Sequence, residues 1–172
     1  DRYIDLIIPR GGESLMRVIT EHATIPVIRH DAGVCHIYVD ADADPAMAER
    51  VCFNAKVQRP STCNAMETLL VHQGIARHWL APFIEKLTAA NVQVRGCQKT
   101  CQLSSSATPA SDDDFGKEFL DLTIAVKVVK NVDEAMEHIA KYGSRHTEAI
   151  VTSDYPKAMR FLREVDAGAV LV

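Results

Sequence analysis

The chain has 172 residues, a formal net charge of −4 and a pI near 6.0, with 47% hydrophobic and 24% charged residues. These values are ordinary for a soluble globular protein with a hydrophobic core. The acidic balance, without a basic cluster, argues against a nucleic-acid-binding surface, and no apolar run approaches the roughly 20 residues that cross a bilayer.

The hydrophobic pattern alternates between strands and helices along the chain. A β-branched run over 4–8, followed by Pro9, predicts a first buried strand, and helical spacing predicts a helix over 13–23. Further strands are predicted over 25–28, 35–40, 68–72, 92–94, 120–129, 149–152 and 169–172. Further helices are predicted over 44–57, 76–90, 132–142 and 155–165, whereas the polar stretch 96–116 predicts an exposed loop.

This alternation determines the predicted fold class. Strands that alternate with helices of 10–15 residues indicate crossover units, so we expect an α/β fold with a largely parallel sheet and helices on both faces. Asp44 and Pro45 predict a helix start, and Gly143 predicts a helix end. The apolar face of the 44–57 helix is predicted to consist of Met47, Val51 and Ala55, and the inward face of the 76–90 helix of Trp79, Phe83, Ile84 and Leu87.

The five cysteines are an odd number at irregular spacing, and no secretory signal opens the chain. Reduced thiols in a cytoplasmic protein are therefore expected. Cys97 and Cys101 match neither a zinc pair nor a redox pair, so no metal site is predicted. Cys35 and Cys52 lie in strand and helix patterns that favour the core. The chain lacks an initial methionine and ends within a predicted strand, so we expect a fragment of a longer protein.

The candidate nucleophile is Cys63, in the stretch Arg59-Pro60-Ser61-Thr62-Cys63-Asn64. A polar turn directly ahead of a strand gives a thiol access to substrate and a rigid support. Thr62 and Asn64 flank the thiol, and backbone N–H groups beside it can stabilise an oxyanion. From residue chemistry alone two interpretations stay open, because a free cysteine is also common as a small buried hydrophobe.

Four segments, residues 5–12, 25–40, 59–72 and 132–150, carry a family resemblance. They resemble the γ-glutamyl phosphate reductase (glutamate-5-semialdehyde dehydrogenase) family of the aldehyde dehydrogenase superfamily, and the last resembles the family's signature from end to end. The resemblance covers nearly the whole chain but only part of a family member, without the N-terminal dinucleotide-binding half and the C-terminal tail.

The resemblance implies a domain organisation and a reaction. Residues 1–33 correspond to the end of the dinucleotide-binding portion and the crossover, and residues 34–172 to an aldehyde dehydrogenase-like catalytic domain. The thiolate of Cys63 attacks the acyl phosphate of L-glutamyl 5-phosphate and expels phosphate, which forms a thioester. NADPH then reduces the thioester to glutamate 5-semialdehyde, in proline biosynthesis.

One departure from the superfamily pattern lies in Arg29-His30-Asp31. Hydrolytic members carry a glutamate base at this place, and its absence suits a reductase that must protect its thioester from water. Arg29 and His30 are candidates to attract phosphate or a carboxylate. A surface turn, or Asp31 as a substitute base, are the alternatives.

Glu118 matches the position where the superfamily places a glutamate against a cofactor ribose. A carboxylate suits two hydroxyl donors, although a surface glutamate at a strand edge is the alternative. Further candidates to hold a substrate carboxylate or the leaving phosphate are Arg59, Ser61, Arg145 and His146. For these residues, hydrogen bonding within their own loops is the alternative.

The resemblance also implies partners. It implies a homo-oligomer, and it leaves open an association with a glutamate kinase, to which some relatives are fused. Because the cofactor half is missing, we expect the isolated chain to be inactive. Two other functions stay open: another acyl-reducing or aldehyde-oxidising dehydrogenase, such as one that uses a coenzyme A thioester, and a non-catalytic oligomerisation module.

Overall fold

The structure is a computed structural model that describes residues 3–28 and 32–172. Two units can be distinguished by their internal contacts, a small one up to Ala32 and a larger one from Gly33 to Val172. Along these described ranges no helix is both long and apolar enough to span a membrane.

The small unit contains helix α1 (Glu13–His22), as predicted, but the two strands predicted beside it are wrong. Among the described residues of this unit, the only β-pairing is one parallel bridge between Ile7 and Val27. Pro9 and Pro26 lack an N–H group and cannot extend the ladder. The side chains of the first predicted strand are also largely exposed in this chain, with Ile8 63% accessible.

The larger unit is built on one sheet, in which all seven strands of residues 32–172 run parallel. The strands are β1 (Cys35–Val39), β2 (Met66–His72), β3 (Gln93–Gly96), β4 (Thr108–Pro109), β5 (Thr123–Val129), β6 (Thr147–Val151) and β7 (Ala169–Leu171). Their spatial order is β4-β3-β5-β2-β1-β6-β7. This arrangement confirms the predicted parallel sheet.

Five helices connect these strands: α2 (Pro45–Val57), α3 (Gln73–Ala89), α4 (Gln98–Leu103), α5 (Val132–Tyr142) and α6 (Tyr155–Glu164). The Asp44 carboxylate caps α2 by accepting hydrogen bonds from the N–H groups of Ala46 and Met47, at 2.8 and 2.9 Å. α2, α3 and α4 pack on one face of the sheet, and α5 and α6 on the other. The prediction of helices on both faces is confirmed.

Alternating strand residues supply the two cores. Ile37, Val39 and Leu69 face α2 and α3, whereas Tyr38 and Leu70 face α5 and α6. Each fully buried aliphatic side chain of this kind contributes about 1.5–3 kcal/mol. Trp79, Phe83, Ile84 and Leu87 of α3 are buried, as predicted.

The predicted apolar face of α2 is wrong at Met47 and Val51, although Ala55 is partly buried and packs against the core. Met47 and Val51 are 48% and 39% exposed, whereas Ala48, Cys52 and Lys56 are fully buried. The buried face lies one residue further along the helix, a rotation of about 100°. A lysine can occupy it because the carboxylate of Glu67 meets its ammonium inside the protein.

Two further predictions are wrong, the exposed loop over 96–116 and the start of the strand at 120. The stretch 96–116 contains α4, β4 and a 3₁₀ turn over Asp113–Gly116, because buried Thr100 and Asp114 find partners within the fold. β5 begins at Thr123 rather than 120, because Leu120 has a left-handed backbone with φ +55°.

Candidate active site

The candidate residues of the larger unit gather at the amino ends of neighbouring strands. The Cys63 turn precedes β2, Gly33 precedes β1, Glu118 lies before β5, and His146 precedes β6. Because β1, β2, β5 and β6 are adjacent and parallel, these four segments meet at one edge of the sheet. Many α/β proteins place their ligands at the opposite, carboxyl edge.

Two consecutive β-turns present Cys63. The N–H of Thr62 donates to the carbonyl of Arg59 at 3.2 Å, and the N–H of Ala65 donates to the carbonyl of Thr62 at 2.9 Å. Pro60 occupies the second position of the first turn, where its fixed φ is favourable. Cys63 occupies the second position of the second turn and is exposed. Its thiol is therefore open to solvent on a short, hydrogen-bonded loop.

The turns also determine which N–H groups are available near the thiol. Those of Thr62 and Ala65 are used within the turns. Those of Cys63 and Asn64 donate to no backbone carbonyl of the described residues. Thr62 therefore supports the loop, and the N–H groups of Cys63 and Asn64 are the ones that can receive an oxyanion.

Gly33 and Cys35 lie directly against the Cys63 backbone. The Cys35 thiol donates to the Cys63 carbonyl oxygen at 3.3 Å, and burial raises the pKa of Cys35 to about 12, so this thiol keeps its proton at neutral pH. A Cβ atom on Gly33 would lie 2.0 Å from the same oxygen. Only glycine fits at this approach. Cys35 and Cys52 are both buried, as predicted.

Glu118 lies against the same glycine. Its Oε1 accepts the Gly33 N–H at 2.8 Å, and the side chain is half-buried. Its Oε2 accepts no hydrogen bond from a described residue, so one carboxylate oxygen is available to a hydroxyl donor. This geometry fits a ribose, and it places the predicted cofactor carboxylate beside the Cys63 turn.

His146 joins this region, but Arg145 does not. His146 Nδ1 lies 2.8 Å from the Thr147 hydroxyl and 3.7 Å from the Cys35 sulfur. Arg145, with φ +59°, pairs instead with exposed Asp166 at 3.4 Å, beside a cavity of about 120 Å³ between α5 and α6. An exposed pair of this kind contributes little to stability.

Arg59 and Ser61 are exposed on the first turn, and the Arg59 guanidinium forms no ion pair with any residue of 3–28 or 32–172. Arg29, His30 and their neighbour Asp31 lie outside the described residues. No group of three or more His, Cys, Asp or Glu within the described ranges is arranged to hold a metal ion.

An apolar cavity of about 420 Å³ opens beside the nucleophile turn. Asn64 lies in its lining together with residues of β1, β2, β6, β7 and α2, including Cys35 and exposed Met47 and Val51. Its lining is mostly hydrophobic, as small-molecule sites usually are.

Sequence reasoning missed the buried polar residues that surround the site. Lys56 and Glu67 form an ion pair with Nζ 2.7 Å from Oε2, and both side chains are inaccessible. On the other face of the sheet, Glu148 Oε2 accepts hydrogen bonds from the His36 backbone N–H and lies 3.0 Å from His36 Nδ1. His138 on α5 is buried against the Phe115 ring, at 5.2 Å between centroids.

Charged residues inside a protein require partners. This requirement is the sequence signal that could have identified these buried polar residues. Glu67 and Glu148 each lie one residue before a strand predicted from the sequence, and each is the second residue of the strand that forms, β2 or β6. A charged residue at the start of a buried strand indicates a partner, but the sequence does not say which one.

No family model matches the chain. Among curated proteins it is 58% identical to the γ-glutamyl phosphate reductase of Thermodesulfovibrio yellowstonii over 169 residues, which is 98% of the chain and 40% of that protein. It is 56% identical to the enzyme of Desulfatibacillum aliphaticivorans over 172 residues, covering 100% of the chain and 41% of that protein. The chain thus spans about two fifths of these relatives.

Solved structures agree. The γ-glutamyl phosphate reductase of Thermotoga maritima superimposes with a TM-score of 0.95 at 50% identity, over 99% of the chain and 41% of that structure. An acetylating aldehyde dehydrogenase of Geobacillus thermoglucosidasius has a TM-score of 0.71 at 19% identity, over 98% of the chain and 46% of that structure, a likeness of fold alone. Along its whole length, the chain is therefore homologous to part of the γ-glutamyl phosphate reductases, as its four segments predicted.

Proposed function

We propose that the chain is the nucleophile-bearing part of an oxidoreductase that reduces L-glutamyl 5-phosphate to glutamate 5-semialdehyde in the cytoplasm, with NADPH as the reductant. The observation that carries the proposal is the pairing of an exposed Cys63 with Glu118 on either side of Gly33. One group is a nucleophile, and the other is a carboxylate suited to a ribose.

Cys63 performs the covalent step. Its thiolate adds to the acyl carbon of the substrate, and the resulting oxyanion is received by the N–H groups of Cys63 and Asn64. The carbon–oxygen bond to phosphate then breaks, inorganic phosphate leaves, and a thioester to Cys63 remains. When bound, NADPH supplies the hydride that reduces this thioester. Collapse of that adduct releases the aldehyde and restores the Cys63 thiolate.

Arg59 and Ser61 are our candidates for the leaving phosphate. Both lie on the turn that precedes Cys63, and the Arg59 guanidinium has no carboxylate partner among the described residues. Arginine is well suited to phosphate because its planar fork donates two parallel hydrogen bonds. His146 lies beside Cys35 and is a further candidate for the substrate carboxylate.

The oligomeric state, the domain organisation and the activity of the isolated chain are also part of the proposal. We propose that the active protein is a homo-oligomer, with an association to a glutamate kinase left open, and that residues 1–33 and 34–172 belong to its cofactor and catalytic domains. The 172-residue chain by itself is expected to lack turnover, because it contains Cys63 but spans only two fifths of its relatives' length.

The test uses the full-length protein that contains this chain. Reduction of NADP⁺ with pyrroline-5-carboxylate, the cyclic form of the semialdehyde, is measured with and without inorganic phosphate. We expect turnover only with phosphate, and a loss of at least about a thousandfold in Cys63→Ser, because a serine hydroxyl is a much weaker nucleophile than a thiolate. Phosphate-independent turnover indicates a hydrolytic dehydrogenase, and turnover with coenzyme A in place of phosphate indicates an acylating one; either result contradicts the proposal.

A further inference from the structure

The buried ion pair between Lys56 and Glu67 has a position that burial alone does not explain. Lys56 lies in the last turn of α2, and Glu67 is the second residue of β2. The two residues are eleven positions apart, and the whole Cys63 loop lies between them. Their contact at 2.7 Å therefore closes that loop at its base.

Glu67 makes a second connection with its other oxygen. Oε1 accepts the N–H of Leu120 at 3.1 Å. Leu120 adopts a left-handed backbone with φ +55°, a conformation that a branched side chain rarely adopts without a compensating contact. Leu120 lies two residues after Glu118 in the chain, so this hydrogen bond fixes the backbone beside the Glu118 carboxylate.

The pair is costly to bury. Desolvation lowers the pKa of Lys56 and raises that of Glu67, since both side chains are inaccessible to water. Buried ion pairs of this kind are often no more stabilising than a well-packed apolar pair. A role beyond stability accounts better for a charge placed between the nucleophile loop and the Glu118 segment.

We propose that Glu67 is a positioning residue, which holds the backbone of Glu118 at a fixed place relative to the Cys63 loop. Glu67 acts through the peptide N–H of Leu120, and Lys56 compensates the charge of the buried Glu67 carboxylate. Gly33 provides the second connection, since its N–H binds Glu118 and its Cα lies against the Cys63 carbonyl. The consequence for cofactor binding rests on the function proposed above for Glu118.

A matched pair of double variants of the full-length protein tests this proposal. Both carry Lys56→Met, so that no lysine charge is left unpaired; one adds Glu67→Gln and the other Glu67→Met. The two replacements have similar length, but only glutamine keeps an oxygen that can accept the Leu120 N–H. The readouts are amide hydrogen exchange over residues 117–122 and the Kd of NADPH.

We expect the glutamine variant to keep near wild-type exchange and a Kd within about twofold of wild type. In the methionine variant, exchange over 117–122 rises and NADPH binds about tenfold more weakly, as the loss of one well-placed buried hydrogen bond implies. Equal exchange in the two variants overturns the proposal. If Glu67→Met does not fold, Glu67→Asp with native Lys56 replaces it, because its shorter side chain withdraws the acceptor; unchanged exchange there also overturns the proposal.

A further control separates this proposal from the proposed function. If Glu118→Gln binds NADPH as tightly as wild type, the cofactor role of Glu118 is wrong. The exchange comparison still decides whether Glu67 positions the segment, because it requires no cofactor.

Discussion

At the scale of single residues, the surroundings of a cysteine determine its chemistry here. Cys35, Cys52 and Cys63 are the same residue type, but burial raises the pKa of Cys35 to about 12 and also raises that of Cys52. Both thiols therefore stay protonated near neutral pH, and the thiolate is the reactive form. Cys63 alone of the three is exposed, on a turn of polar residues. The neighbouring residue types predicted this difference, because core patterns surround the first two and a polar turn surrounds the third.

Because only glycine fits at position 33, we expect a substitution there to displace the Cys63 turn. In Gly33→Ala the new methyl group would overlap the Cys63 carbonyl oxygen, so the turn must move. We expect alkylation of Cys63 by iodoacetamide to change at least about fivefold in rate, since displacing a hydrogen-bonded loop alters the surroundings of the thiol.

Gly12→Ala is the matched control, because no atom lies within 4 Å of the added methyl group and its backbone angles suit any residue. Peptide mapping by mass spectrometry identifies the alkylated cysteine. An alkylation rate in Gly33→Ala equal to that of Gly12→Ala would show that the contact does not position the turn.

At the scale of elements, caps and periodicity predicted most helices, and pairings distant in sequence explain the errors. α2 begins as Asp44 and Pro45 predicted, and α5 ends before Gly143. The prediction of the buried face of α2 was wrong because a lysine is buried only when a partner is present. Glu67 becomes that partner only in the folded chain. Likewise, nothing local to Leu120 predicts its left-handed backbone, which depends on an acceptor from β2.

We expect His138 on α5 to make the stability of the protein depend on pH. Burial, together with the neighbouring His36, Lys127 and Lys141, lowers its pKa to about 3, while nearby Asp112 opposes this shift. The Lys127 ammonium lies 3.2 Å from Nδ1, so His138 accepts this hydrogen bond as a neutral ring. An unfolded histidine has a pKa of about 6.5. The stability that this residue contributes is therefore complete above pH 6.5 and is lost as the pH falls from 6.5 towards 3.

We expect His138→Gln, which keeps an acceptor for Lys127 but does not titrate, to reduce this acid destabilisation. The slope of unfolding free energy against pH between 6.5 and 4 should fall by up to one proton, or about 1.4 kcal/mol per pH unit. Urea unfolding at a series of pH values measures the slope. An unchanged slope would mean that His138 is already protonated in the folded protein.

At the scale of the whole molecule, the alternation of strands and helices predicted the parallel sheet. This sheet brings together segments that are distant in the sequence. Residues 33–36 make three such contacts with two other segments: Gly33 binds Glu118, whereas Val34 binds Ser144 and His36 binds Glu148. Adjacent parallel strands bring these groups to one edge with the Cys63 turn. The sequence could predict the class of sheet but not the order of its strands, and therefore not which loops become neighbours.

We propose that Cys63 carries a thioester that phosphate releases and water does not. The most direct measurement mixes the full-length protein with NADP⁺ and glutamate 5-semialdehyde in the absence of phosphate. We predict a burst of about one NADPH per Cys63 that then stops, a Cys63 peptide whose mass has increased by one glutamyl group, and resumed turnover when phosphate is added. Continuous turnover without phosphate, or a glutamyl group on any other residue, would contradict the account.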